Sequence, residues 1–342
     1  MEYPKVTVIA PIYNEHSYIR SFVHNLLNQT YPEDRLELLL IDGGSTDGTR
    51  QILEEAAADF PRITLLDNPQ RYVPYALNLG ISRASGSIIC RMDAHAEYPL
   101  DYIEELVYWL DKSGADNVGG VWHTLPSKKT RMARAIALAL ASPFGVGDAR
   151  YRLGGDRPRE VDTVPFGCYR RELFDRIGVF DRDLLRNQDD EFNARLIRSG
   201  GRILLLPHVG ITYYSRPTLG ALASKMYNYG LYKPLVNIKL GKPATWRQFA
   251  PPVLLLTLGL FLVLGWIWPW AGYAFVCLIA LYGLFLLLGA LRCRPAGLLE
   301  GACTVLAMAC MHFSYGLGYL QGVFRYWLLP RIKGTSKPDS GS

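Results

Sequence analysis

The chain has 342 residues, 49% of them hydrophobic and 20% charged, with a formal net charge of +6. That length admits one large domain with an appendage, or two domains, and the six cysteines, none in a Cys-x-x-Cys pair, argue against a zinc or disulfide framework and for buried thiols in a reducing compartment. The charge is uneven: no Asp or Glu lies between Glu191 and Glu300, while Arg195, Arg198, Arg202, Arg216, Lys225, Lys233, Lys239, Lys242 and Arg247 precede the first long apolar run. Such a basic collar suits anionic headgroups or a diphosphate-bearing substrate. No nucleic-acid motif accompanies it, so nucleic acid is not expected as a partner.

In chain order, residues 5–11 read as a buried first strand, too short and too interrupted by Pro11 to be a signal peptide. The N-terminal part is therefore expected to stay in the cytoplasm. Asn14 and Glu15, followed by Tyr18, Phe22, Leu26 and Leu27, read as a capped helix. Residues 36–41 form a second strand, 49–59 a helix, 63–66 a third strand and 76–84 another helix. Strand and helix alternate with short links, which predicts an α/β domain with a mostly parallel sheet.

The next strand, from Gly86, delivers Cys90-Arg91-Met92-Asp93-Ala94-His95. Ligands bind at the carboxyl ends of strands in open α/β sheets. Asp93 and His95, two residues apart, project to one side of an extended backbone and can share a divalent cation. Taken alone, an Asp-x-His at a strand end is more often a loop cap or a surface pair. The loop from Asp42 to Thr49 lacks Gly-x-Gly-x-x-Gly, which argues against a dinucleotide cofactor. An acid first at the strand end suits hydrogen bonds to a base or ribose, and Ser45, Thr46 or Asp47 can also cap the following helix.

Beyond residue 216 the pattern changes. Leu219, Leu222, Met226, Tyr229 and Lys233 recur at helical spacing, predicting an amphipathic helix on a membrane surface, with an ordinary core-facing stripe as the alternative. Three apolar runs follow, 251–270, 271–291 and 298–324, each long enough to span a bilayer. Two crossings would return Arg292 and Arg294 to the cytoplasm, as the positive-inside rule requires. A third would send Arg325, Arg331, Lys333 and Lys337 outward, against it. Because that run also carries Glu300, His312 and Gln321, a kinked, re-entrant or functional segment is open there. Gly318 and Gly322 are expected to allow close helix packing.

Five stretches carry a resemblance: Pro11-Ile12-Tyr13-Asn14-Glu15, Ile41-Asp42-Gly43-Gly44-Ser45-Thr46-Asp47-Gly48-Thr49, Ala76-Leu77-Asn78, Arg91-Met92-Asp93-Ala94-His95 and Gln188-Asp189-Asp190-Glu191. In order and spacing they resemble family 2 glycosyltransferases over roughly residues 4–216, and within these the ExoA type of exopolysaccharide glycosyltransferase. The resemblance implies a GT-A fold, Rossmann-like, acting on nucleotide-diphosphate sugars. It implies that Asp42, with Pro11, Tyr13, Glu15 and Asn78, lines the nucleotide pocket, and that Asp93 lies near ribose and metal. His95 stands where the commoner family pattern has a second Asp. That nitrogen ligand shifts the expected preference towards Mn²⁺ over Mg²⁺. Registering Arg195 with the family Arg makes Asp189 the base, with Asp190 as the neighbouring candidate and Gln188 replacing a family Glu. An acidic helix N-terminus stabilised by the dipole is the plainer reading of the same acids.

The segment Pro165-Phe166-Gly167-Cys168-Tyr169-Arg170-Arg171 resembles the part of the family that closes over donor and acceptor, so Gly167, Arg170 and Arg171 are acceptor-side candidates, and Arg216 can reach a diphosphate. The preceding loop, 145–160, is expected to move on binding. No Gln-x-x-Arg-Trp motif follows Asp189, so single-sugar transfer is expected rather than polymerisation. The expected organisation is a GT-A domain over 1–216, an amphipathic interface segment over 217–250, membrane helices over 251–330 and a basic tail over 331–342. The expected reaction is inverting, metal-dependent transfer from a UDP-sugar to a polyprenyl-diphosphate saccharide at the cytoplasmic face of the cell membrane. The alternatives are transfer to a bare polyprenyl phosphate, or a non-catalytic nucleotide-sugar-binding scaffold.

Overall fold

The computed structural model describes residues 3–332, so most of the basic tail expected from 331 onward lies outside the described residues. Strands β1 (Val6–Ile12), β2 (Leu36–Asp42) and β3 (Ile63–Asp67) alternate with helices α1 (His16–Leu27), α2 (Thr49–Asp59) and α3 (Val73–Arg83), and β4 (Ile88–Arg91) returns beside β1. All four strands are parallel, with Ile12 opposite Asp42 and Ile9 opposite Arg91. β1, β2 and β4 are near-continuous apolar runs because helices cover both faces. Val8, Leu38 and Leu40 lie in one core cluster with Ile19 and Phe22 of α1. Ile9, Leu39 and Ile41, pointing the other way, pack with Leu77 and Ile81 of α3.

The chain continues through β5 (Ala96–Glu97), α4 (Tyr102–Ser113), β6 (Asn117–Pro126), α5 (Arg131–Leu140), α6 (Pro143–Val146), α7 (Arg150–Leu153), β7 (Arg159–Glu160), β8 (Cys168–Arg170), α8 (Glu172–Ile177), α9 (Gln188–Arg198) and β9 (Ile203–Ser215). One nine-stranded sheet results, in the order β3-β2-β1-β4-β8-β6-β9-β5 with β7 also on β9. The Rossmann-like half is parallel, and the antiparallel pairs β4–β8 and β6–β8 make the whole sheet mixed. Strand order reverses at β1, so the ligand crevice of this half opens outside the carboxyl ends of β1 and β4.

The chain divides into two compact units. One holds the sheet, up to His123 and again over Arg150–Tyr214. The other holds Thr124–Ala149 and the described residues from Ser215 onward. The stretch expected as one domain over 1–216 is thus interrupted, because α5 carries Ile136, Ala139 and Leu140 into a cluster with Ala307, Met308 and Met311. The expected loop 145–160 is likewise no single loop, since it includes the end of α6, all of α7 and the β7 pairing.

The helical unit is completed by α10 (Leu219–Leu240), α11 (Ala250–Leu264), α12 (Pro269–Arg292), α13 (Leu298–Val323), a π-helical turn (Phe324–Leu328) and α14 (Leu329–Ile332). Among the described residues, three segments are long and apolar enough to cross a membrane: Arg247–Leu264, Pro269–Arg292 and Leu298–Leu328. The first break falls earlier than the sequence pattern suggests, because Pro269 opens α12 at its first turn, where a missing N–H costs nothing. Glu300 and His312, two of the polar residues of the third run, are partnered within this unit. Arg134 Nε donates to Glu300 Oε2 at 2.8 Å, and Tyr282 Oη lies 2.9 Å from His312 Nδ1.

The α10 stripe faces a core: Leu222 and Met226 pack in the cluster with Met308 and Met311 of α13. Contacts then advance together along both helices, from Tyr227 against Gly318 to Leu231 against Gly322, so the two run parallel. A Cβ on Gly318 would collide with the Tyr227 carbonyl, and one on Gly322 with the Leu231 carbonyl. Gly318→Val is expected to lose about 1–3 kcal/mol by overpacking, read as a lowered thermal midpoint in detergent. Gly283→Ala, in open space on α12, serves as the tolerated control.

Candidate active site

At the carboxyl end of β1 and β2 two loops are stitched together. Asn14, held at φ +54°, accepts from Thr46 N through Oδ1 at 2.9 Å and donates its own N–H to Ser45 Oγ at 2.9 Å. Glu15 N donates to Thr49 Oγ1 and His16 N to Asp47 Oδ2. Asn14 thus braces the neighbouring loop, and the N-cap residue of α1, Glu15, supplies no side-chain cap, Asp47 accepting from His16 N instead. Asp42 is buried, accepting from Ser45 Oγ at 2.6 Å and from Arg50 Nη1 at 3.4 Å. Gly43 lies close against the Tyr13 side chain, where a Cβ would sit 3.1 Å from Tyr13 Cδ2. Arg71 covers that ring at 5.9 Å. Pro11, Tyr13, Glu15 and Asp42 therefore sit around one strand-end crevice, with the half-exposed Tyr13 on its rim.

Asn78 is employed elsewhere. Its Nδ2 donates to Phe180 O at 2.7 Å, and its Oδ1 accepts from Phe180 N at 3.0 Å. Both backbone groups of the buried Phe180 depend on it. Asn78→Ala is expected to cost about 1–3 kcal/mol, seen in thermal unfolding, with nucleotide affinity of the folded protein unchanged.

The centre of the site is Arg91. Its Nε donates to Asp93 Oδ1 at 2.8 Å and its Nη2 to Asp93 Oδ2 at 2.9 Å, a two-pronged pairing, while Nη1 donates to Asp189 Oδ1 at 2.6 Å. Tyr98 Oη accepts from Asp93 N at 2.7 Å, pinning the backbone there. Phe166 places its ring 5.6 Å from the guanidinium and holds φ +50°, a costly conformation for a bulky residue, with its carbonyl bonded by Tyr102 Oη. None of these supporting roles had been assigned from sequence. An Arg closing an otherwise apolar buried strand, two residues before an Asp, was the available signal.

His95 Nδ1–H donates to Glu15 Oε1 at 3.1 Å. Burial works against the imidazolium, but the Glu15 hydrogen bond and the Asp93 and Glu15 charges outweigh it and hold the His95 pKa above its ordinary value. Asp93 and His95 are thus neighbours. Among the described residues no three His, Cys, Asp or Glu side chains converge to hold a metal by themselves. A donor set of one carboxylate and one imidazole nevertheless fits a divalent ion that completes its shell with substrate phosphates and water.

Asp189 lies in the first turn of α9, behind Asn187 at φ +60°. Burial raises its pKa; the Asp93 and Asp190 charges add to this and Arg91 opposes it. Of the adjacent acids, Glu191 is committed to Arg195, which donates to Glu191 Oε1 at 2.8 Å and also to the Ile177 and Val179 carbonyls. Gln188 is buried at the start of the same helix.

Gly167 is close by: its carbonyl accepts from Arg91 N at 3.0 Å, and a Cβ there would meet the Tyr169 ring at 2.7 Å. Arg170 and Arg171 are carried away from the Asp93 end. Arg170 pairs in register with Ile88 at the start of β4 and donates to Leu110 O, and Arg171 N donates to Ser87 O. Arg216 belongs to the helical unit. An unanticipated wall stands beside His95: Tyr213 stacks on Trp122 at 4.3 Å, and Arg152 covers Trp122 at 4.6 Å.

Residues 7–178 of this chain match the family described as glycosyl transferase family 2. The chain belongs to that family. It is 30% identical over 318 residues to the succinoglycan biosynthesis protein ExoA of Rhizobium meliloti (strain 1021), covering 91% of this chain and 93% of that protein. It is 29% identical over 237 residues to the dolichyl N-acetyl-alpha-D-glucosaminyl phosphate 3-beta-D-2,3-diacetamido-2,3-dideoxy-beta-D-glucuronosyltransferase of Methanococcus voltae, covering 68% of this chain and 73% of that one. Among solved structures it is similar to the mannosyltransferase PcManGT from Pyrobaculum calidifontis in complex with GDP-Man and Mn²⁺, with a TM-score of 0.59 at 20% identity over 95% of this chain and 89% of that chain. The sheet of this family 2 glycosyltransferase is accordingly of the GT-A kind.

Proposed function

We propose that this glycosyltransferase moves one sugar from a nucleotide-diphosphate donor, UDP-linked, to a polyprenyl-diphosphate saccharide, inverting the anomeric carbon, in assembly of a cell-surface or exported glycan. The observation that carries the reading is the buried Arg91, which joins the Asp93 end of the crevice to Asp189 in one site. Asp42 and the Tyr13–Gly43 rim would receive base and ribose. Asp93 and His95 would hold a divalent metal, Mn²⁺ in preference to Mg²⁺, which when bound supplies neutralising charge to the departing diphosphate. Asp189 would take the acceptor hydroxyl's proton as that oxygen attacks the anomeric carbon and the carbon–phosphate-oxygen bond breaks. Its raised pKa suits a base, and Asp190 is the neighbouring candidate.

The lipid-linked acceptor is supported by the three apolar helices and by a relative whose name includes a dolichyl glucosaminyl phosphate. The PcManGT complex with Mn²⁺ supports the metal. We place the protein in the inner membrane, with its sheet domain on the cytoplasmic side. Gly167 and Gln188 are kept as acceptor or diphosphate contacts. The test is transfer by purified protein in lipid, with UDP- and GDP-sugars, Mn²⁺, Mg²⁺ or EDTA, and either a polyprenyl-diphosphate saccharide or a bare polyprenyl phosphate. A metal-dependent, anomerically inverted, extended lipid-saccharide, formed faster with Mn²⁺, is expected. Product on the bare phosphate alone would overturn the acceptor assignment, and donor binding without product on either acceptor would favour a scaffold.

A further inference from the structure

Arg91 ends a strand in which every residue is buried, and only 6% of its side chain is exposed. A guanidinium out of water is tolerated only when its donors are satisfied. Here three nitrogens meet two carboxylates 96 residues apart in the chain, Asp93 and Asp189 (189 − 93). Each side of the junction is braced: Tyr98 holds the Asp93 amide, and Phe166, fixed by Tyr102, closes over the guanidinium. Asp189 itself sits on a helix turn whose N-cap residue, Asn187, supplies no side-chain cap. The Arg91 bond therefore anchors that carboxylate to the sheet.

We propose that Arg91 is a positioning residue of the transfer reaction, acting through Asp189. Its Nη1 occupies Asp189 Oδ1, so the other oxygen, Oδ2, is the one presented to the acceptor. The hydroxyl proton passes to Oδ2 as the acceptor oxygen bonds to the anomeric carbon, and the nucleoside diphosphate leaves with the electron pair of the broken bond. The fork on Asp93 ties that geometry to the strand end where the diphosphate would lie. The inference rests on the reading of Asp189 as the base.

It is tested with the full-length protein in detergent, using Arg91→Gln, Arg91→Lys, Arg91→Ala, Asp189→Asn and the double variants Arg91→Gln/Asp189→Asn and Arg91→Ala/Asp189→Asn. Misplacement of the base should lower kcat by about 100-fold in Arg91→Gln, with donor KM and calorimetric binding of nucleoside diphosphate changed far less. Arg91→Gln/Asp189→Asn should be no slower than Asp189→Asn alone, because the two residues act as one unit. Added guanidinium ion should restore part of the turnover of Arg91→Ala and none of Arg91→Ala/Asp189→Asn. Multiplicative losses in Arg91→Gln/Asp189→Asn, or a raised KM at constant kcat, would overturn the proposal. Should Arg91→Gln lose its cooperative unfolding transition, Arg91→Lys decides, since lysine keeps the charge without the fork. A roughly 10-fold loss of kcat at constant KM supports positioning, and an unchanged kcat rejects it. Wild-type turnover in Asp189→Asn would instead remove the underlying base assignment, whatever the Arg91 variants do.

Discussion

Asp189→Asn is expected to lower the turnover number by about 10²- to 10⁴-fold, the range supplied by a positioned general base. The amide keeps an oxygen for Arg91 Nη1, so the fold and nucleoside-diphosphate binding should persist within a few-fold. The pairing of lost kcat with retained binding is the informative outcome; unaltered turnover would transfer the role to Asp190. The pH dependence follows from the same carboxylate. Burial, with the Asp93 and Asp190 charges, raises the Asp189 pKa against the opposing Arg91. A base works only when deprotonated, so turnover should be full above the folded pKa and fall as pH drops through it. The acid limb of kcat/KM is therefore expected above the usual carboxylate range. That limb should disappear from the residual activity of Asp189→Asn.

Asp93→Ala should have the larger effect on stability. It removes both oxygens of the Arg91 fork and leaves a buried guanidinium with Asp189 as its remaining carboxylate. Breaking a buried ion pair from one side costs about 3–5 kcal/mol, and the surviving Asp189 bond points to the lower end. Against a total stability of about 5–15 kcal/mol, a clear drop in thermal midpoint follows. Nucleotide-dependent stabilisation should vanish in the same variant if Asp93 holds the metal–diphosphate end. Asp93→Asn, which retains one acceptor oxygen, should recover much of the midpoint but not metal-dependent turnover. Recovery of both would deny Asp93 its charge-dependent role.

Several features were legible from local chemistry. The apolar runs ending in Asp42 and Arg91 announced strands whose carboxyl ends carry polar groups, and α2 begins and ends where its pattern indicates, at Thr49 and Asp59. Gly318 and Gly322, four apart in an apolar run, announced a close helix contact, which α10 supplies. In each case the informative signal lies within one or two turns or one strand.

Other features depended on which segments meet. The periodicity of α10 specified that one face is buried, and only packing chose α13 as its partner. Residues 124–149 join the helical unit because the α5 face fits α13, which neither composition nor spacing signals. Arg170 and Arg171 share a short segment with Gly167, yet the antiparallel register of β8 against β4 carries them towards the opposite strand end. Asn78, read as a pocket residue, satisfies the backbone groups of Phe180, 102 residues away. The sequence by itself determined the family, the strand ends and the acids and histidine gathered there. The tertiary structure decided that Arg91 ties Asp93 to Asp189, because a buried guanidinium must find carboxylates wherever the fold brings them, and no local pattern records that distance.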